Sequence, residues 1–155
     1  MKKIGVIGLG NPLRSDDGIG IYILQKLAEN KKNLAKNIDF LDGGTGGFNL
    51  LHDLSKYDKL IIIDAVDFNK KPGDSLFINI NEIKDKNKNL NILTHENDFL
   101  KIINLSKKLK EAPSEIYLYA VQPSDLSYRR DLSDIIKDKF DFYIYDLNKK
   151  IDKLS

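Results

Sequence analysis

The sequence predicts a three-layer α/β/α sandwich around a five-stranded mixed, mostly parallel sheet, and three observations predict it. Short apolar runs of strand length alternate with longer segments whose apolar residues recur at helical spacing, the pattern of a sheet lying between helices. The runs Lys3–Gly8 (KIGVIG) and Lys59–Ile63 (KLIII) are continuously apolar rather than alternating, as strands buried on both faces are. Only a short loop containing Pro72-Gly73 joins the third run to the fourth. It leaves no room for a helical crossover, so strand four is expected to run antiparallel at an edge.

Each element has its own signal. Lys3–Gly8 ends in glycines, and a helix is expected from about Asp17 with Ile19, Ile23 and Leu27 on one stripe. Ile38–Leu41 is the second strand, followed by a short helix marked by Phe48, Leu51 and Leu54. The third and fourth strands are Lys59–Ile63 and Ser75–Ile80. Residues 81–93 are rich in Asn and Lys and read as a mobile loop. Thr94 is placed to cap a helix carrying Phe99, Ile103 and Leu109, which Ala112-Pro113 ends. Ile116–Val121 is the last strand. Ser133 then opens a final helix with the stripe Leu132, Ile136, Phe140, Tyr143, Leu147, Ile151 and Leu154.

Composition narrows the chemistry. A length of 155 residues fits one domain, 1–155, within the usual range of roughly 100–200. With no cysteine there is no disulfide, thiolate nucleophile or thiolate metal site. Any metal must therefore be bound through carboxylate, imidazole or backbone oxygen. A net charge of +2 gives no reason to expect nucleic acid or an anionic membrane as partner. The opening apolar run breaks at Gly8-Leu9-Gly10-Asn11-Pro12 and reads as a strand rather than a signal peptide. No stretch approaches the roughly 20 apolar residues of a membrane span. A cytoplasmic protein is expected.

A site is expected beyond the carboxyl ends of the strands, where strand order reverses. If strands two and one lie to one side of strand three, that point falls between strands one and three. Asp16 and Asp17 follow strand one, Asp42 follows strand two, and Asp64 and Asp67 follow strand three. His95 reaches the same edge because its helix must end at the amino edge, where strand five starts. Each has a plainer reading. Acids at a helix start favour the helix dipole, an acid at a strand end often caps the next element, and His95 can simply be solvated. Together, two carboxylates and one imidazole suit a divalent transition metal with open positions. His52 falls off the apolar stripe of its helix and is expected at the surface.

Asp42-Gly43-Gly44-Thr45-Gly46-Gly47 is either a plain turn or a loop lying against an extended peptide. Gly8-Leu9-Gly10 lacks the third glycine of a dinucleotide fingerprint, and Pro12 interrupts it. Gly8-Leu9-Gly10-Asn11-Pro12 also resembles the start of peptidyl-tRNA hydrolases, but Leu13-Arg14-Ser15-Asp16-Asp17-Gly18 then departs from that family.

A longer match runs from Gly8 through Gly20 (GLGNPLRSDDGIG), and it resembles the opening motif of the hydrogenase maturation proteases. So do Asp42–Gly47, Ile62–Asp67 with Pro72-Gly73-Asp74, and Thr94-His95-Glu96, all in that family's order. The resemblance implies a five-stranded mixed sheet of the phosphorylase/hydrolase-like kind. It implies an endopeptidase that removes a C-terminal extension from the nickel–iron hydrogenase large subunit after nickel insertion. The family's metal positions fall on Asp17, Asp64 and His95, and the first is Asp here where some relatives have Glu. Nickel is expected to arrive with the substrate precursor, though another divalent metal could take its place in isolated protein. Asp42 is a candidate general base or peptide-orienting group, and Gly43, Gly44 and Thr45 are candidate substrate contacts. A carboxylate dyad of Asp17 and Asp64 is a competing mechanism. A peptidyl-tRNA-hydrolase-like enzyme and a non-cleaving nickel-site binding module are the alternative functions. The oligomeric state is left open.

Overall fold

Ile4, Val6 and Ile7 leave almost no surface exposed because the strand they form, β1 (Ile4–Gly8), lies inside a sheet covered on both faces. In the computed structural model, which describes residues 2–31, 36–45, 48–83 and 98–155, the other strands are β2 (Ile38–Asp42), β3 (Lys59–Ala65), β4 (Ser75–Asn79) and β5 (Glu115–Val121). Their order is β2-β1-β3-β5-β4. The first four strands in that row are parallel, and β4 runs antiparallel to β5 at the edge, as expected from its short connection. β4 pairs with β5 rather than with β3, so β5 enters between two strands that are consecutive in sequence.

Alternation along β1 and β3 sends their side chains into two cores. Ile4, Val6, Ile61 and Ile63 pack on one face beneath helices α1 (Ile19–Glu29) and α4 (Asp134–Leu154). On that face α4 contributes Ile136, Tyr143, Leu147 and Ile151, none of them exposed, each worth roughly 1.5–3 kcal/mol in burial. Ile7, Leu60 and Ile62 pack on the other face with Phe99, Ile102 and Ile103 of helix α3 (Asp98–Lys108), and with Leu51 and Leu54. These two layers and the sheet make the three-layer sandwich.

Three local expectations change. A 3-10 turn at Ser15–Gly18 carries Asp16 and Asp17, and the α-helix proper starts only at Ile19. The segment Phe48–Lys56 is 3-10 throughout, and its markers Phe48, Leu51 and Leu54 recur every third residue, which is the 3-10 repeat. Ile80 ends no strand. It opens one helical turn, α2 (Ile80–Ile83), and is buried. The expected cap Thr94 and most of the loop expected at 81–93 lie outside the described residues. Among the described residues, no helix is long and apolar enough to cross a membrane.

Candidate active site at the carboxyl edge of the sheet

The chain leaves β1 at a point where two parallel pairings diverge, β2 on one side and β3 on the other. The Leu9 N–H donates to the Ile63 carbonyl at 2.9 Å, hooking the first loop onto the end of β3. Gly20, in the first turn of α1, fits only because it lacks a side chain. A Cβ there would stand 2.3 Å from the carbonyl oxygens of both Leu9 and Ile63. The start of α1 is thus pressed against the carboxyl ends of β1 and β3, the reversal point where α/β folds place ligands.

Asp17 sits at that point, partly buried. One of its carboxylate oxygens accepts the Asn11 N–H at 3.0 Å, and its own N–H donates to the Arg14 carbonyl at 3.1 Å. Asp64 is the penultimate residue of β3, partly buried, in register with Ala120 of β5. Strand alternation puts it on the face of Leu60 and Ile62, the layer that α3 covers. Because α3 leads into the start of β5, it begins at the carboxyl edge. His95 precedes it in sequence and lies outside the described residues. Among the described residues, no three His, Asp or Glu side chains are grouped with metal-binding spacing. The described site therefore holds two of the three expected ligands, Asp17 and Asp64, at the same edge.

The glycine loop borders them. Asp42, exposed at the end of β2, is in register with Gly8 of β1. Its Oδ1 accepts the Gly44 N–H at 2.9 Å, a local turn that fixes this carboxylate. The Gly43 N–H donates to the Gly8 carbonyl at 2.9 Å and the Gly10 N–H to the Gly44 carbonyl at 2.8 Å, lacing the two loops together. The two glycines serve different ends. A Cβ at Gly43 would lie 2.4 Å from Leu9 Cδ2, so this position is closed by packing. Gly44 has φ of +60°, and among the described residues beyond its chain neighbours no heavy atom lies within 4 Å of where its Cβ would be. Its side faces open space. Thr45 is exposed, and Gly46 and Gly47 lie outside the described residues.

Asp16 does something the sequence did not reveal. It is wholly buried, and its carboxylate accepts four bonds: from the N–H groups of Ser124 and Asp125 at 2.9 Å each, and from the N–H and hydroxyl of Ser133 at 2.8 and 2.7 Å. Ser133 does stand at the N-cap of α4, but its hydroxyl serves Asp16 rather than the helix. The segment between is pinned further by Ser15 Oγ donating to the Asp131 carbonyl and Tyr22 Oη to the Arg130 carbonyl. Adjacent acids thus divide their work, Asp16 inward as a tie and Asp17 as the acceptor for the Asn11 N–H in the first loop.

Gln122 was also missed. It is buried at the end of β5, where its Oε1 accepts the Phe68 N–H at 2.8 Å and its Nε2 donates to Asp67 Oδ1 at 3.1 Å. Asp67 also accepts the Asn69 N–H at 3.0 Å. That backbone donor, followed by Gln122, holds the Asp67 carboxyl below the usual range. Its role is to shape the loop after β3. A polar residue closing an apolar run before Pro123 was the available signal. His52 is exposed, as expected.

Residues 21–149 match the family described as hydrogenase maturation protease. The chain belongs to that family. The family's members include proteins named as endopeptidases and proteases, and membership makes this chain a hydrolase of that kind. It is 31% identical over 144 residues to the hydrogenase expression/formation protein HupD of Rhodobacter capsulatus, covering 92% of this chain and 68% of that one. It is 33% identical over 125 residues to the hydrogenase 2 maturation protease of Escherichia coli, covering 80% and 75%. The chain spans only 56–64% of the length of three other curated relatives. The fold matches that of the hydrogenase maturating endopeptidase HybD from E. coli, with a TM-score of 0.81 at 24% identity over 99% of this chain and 94% of that one. The family shown for the chain is the one that its motifs resemble, the maturation proteases rather than the peptidyl-tRNA hydrolases.

Proposed function

We propose that the chain, acting in the cytoplasm as one protease domain, removes the C-terminal extension of a nickel–iron hydrogenase large subunit after nickel insertion, and that Asp17, Asp64 and His95 engage the nickel carried by that substrate. The observation carrying this reading is the meeting of the β1 loop and the end of β3, each bringing a carboxylate, at the reversal point of a maturation-protease sheet. Two carboxylates and an imidazole leave coordination positions for the substrate's own ligands. Held from both sides, the metal fixes the adjoining peptide relative to the protease, the orientation effect that lowers barriers most cheaply. Asp42 lies beside the glycine loop, where it can orient the peptide or take a proton from water. Gly44, with its open side, gives an extended chain room to pass, with Gly43 and Thr45 flanking it.

The deciding experiment incubates the protein with nickel-loaded and rigorously metal-free large-subunit precursor and weighs the products by mass spectrometry. Cleavage of the loaded precursor alone, without metal in the buffer, is expected. Efficient cleavage of the metal-free precursor would instead favour the Asp17–Asp64 dyad, and tight binding of loaded precursor without cleavage would mark a binding module.

A further inference from the structure

Of the 25 basic side chains only three are arginine, namely Arg14, Arg129 and Arg130, and the fold sets Arg14 opposite Arg129, which Arg130 follows in sequence. Arg14 and Arg129 are opposite partners in an isolated parallel β-bridge, closed by the Ser15 N–H to the Arg129 carbonyl at 2.7 Å and the Arg129 N–H to the Leu13 carbonyl at 2.9 Å. Like charges placed directly opposite destabilise such a pairing. Here two arginines take those positions, Arg14 three residues before Asp17, and Asp125 faces only Arg129. The Arg14 guanidinium lies 5.6 Å from the ring centroid of Tyr128, a ring that is 85% exposed. Stacking of this kind holds the guanidinium plane and leaves its N–H edge for an acceptor. Arg14 Nε itself is buried, with no acceptor among the described residues. Arg129 faces Asp125 at 3.7 Å, and Asp131 is taken by Lys137. Among the described residues, neither Arg14 nor Arg130 has a carboxylate at ion-pair distance. Exposed Leu13 and Leu126 flank the cluster.

Arginine forks and exposed aromatic rings are the side chains that carry protein interfaces, and planar guanidinium groups favour carboxylates. We propose that Arg14, Arg129, Arg130 and Tyr128 form the docking surface for an acidic segment of the client protein, seated beside the Asp17 loop. The proposal rests on the reading that the client is a hydrogenase large-subunit precursor. The sharing of one bridge by two cations is then explained by the carboxylate that comes between them, and continuity with the Asp17 loop sets the client's register on the protease.

The test titrates nickel-loaded precursor against the wild-type protein, Tyr128→Ala and the charge-conserving double variant Arg129→Lys/Arg130→Lys, reading Kd by fluorescence anisotropy and kcat and KM by cleavage. Tyr128 is almost wholly exposed, so its truncation leaves the fold intact. Expected is a rise of about ten-fold in Kd and KM for both variants with kcat changed by less than about two-fold. Kd values within about two-fold of wild type in both variants would overturn the docking surface alone. Failure of the wild type to bind the precursor would overturn the client reading first and this one with it. Self-association of the wild type that both variants abolish, with precursor affinity unchanged, would make the patch a contact between copies and overturn the proposal.

Discussion

The carboxylate of Asp16 grips Ser133, 117 positions away in sequence, by two bonds at once, through the backbone N–H at 2.8 Å and the hydroxyl at 2.7 Å. Two further N–H groups, of Ser124 and Asp125, complete its shell. One buried side chain thus ties the first loop, the segment after β5 and the start of α4 into a single unit. Asp17, the next residue, rides on that unit.

The first prediction separates the two acids. Asp16→Ala leaves buried N–H donors without an acceptor and should cost at least about 3 kcal/mol of unfolding free energy, read by denaturant titration. Asp17→Asn should change stability by less than about 1 kcal/mol and abolish processing of the loaded precursor. Equal losses of stability in the two variants would contradict this division.

A second prediction concerns the proposed ligand set. Asp64→Asn and His95→Ala should each abolish processing with the circular dichroism spectrum and melting curve preserved. Wild-type-like cleavage by either variant removes that residue from the site.

The glycine loop supplies a third. Asn tolerates the left-handed backbone of Gly44, and no atom of the described residues beyond its neighbours stands in the way of a Cβ there. Gly44→Asn should therefore cost less than about 1 kcal/mol while slowing cleavage about ten-fold or more, if peptide passes there. Gly43→Ala must displace Leu9 and should cost about 1–3 kcal/mol. Undiminished cleavage by Gly44→Asn would reduce the loop to a plain turn.

The fourth is a pH dependence. The Asp67 carboxyl is held below its usual range by the Asn69 N–H and Gln122. The unfolded chain therefore binds the proton first. The stability contributed is present above the unfolded pKa of about 4 and is lost as pH falls through the lower folded value. Asp67→Asn keeps an acceptor oxygen but removes the titration. Its stability should fall less steeply than that of wild type between about pH 4 and pH 2 in chemical denaturation. Parallel curves would show that this exposed carboxylate contributes nothing measurable.

Continuous apolar runs announced β1 and β3, and a loop too short for a helix announced the antiparallel edge of β4. Those readings succeed because burial and chain length act locally. Spacing could not tell Asp16 from Asp17, identical neighbours that only the resemblance separated, and the 3-10 turn decides which faces inward. The segment from Ser124 to Ser133 was invisible for another reason. Its bonds run to side chains 108–117 positions away and follow no period. Helix direction gave an expected place for His95, and the resemblance its expected role, but the residue falls outside the described ones. The arginine cluster was printed in the sequence, but its meaning needed the bridge that joins position 14 to position 129.

The Asp16–Ser133 tie also has a consequence in time. Chain emerges from synthesis with the first loop made early and residues 124–133 made late. Until those residues arrive, a buried Asp16 carboxylate would lack all four of its donors, and an unpaired buried charge costs several kcal/mol. The first loop must therefore stay open to water through most of translation. A nascent chain that stops short of Ser133 has β1, β3, Asp17 and Asp64 but no fixed first loop, so the candidate site is assembled only when α4 has begun to form.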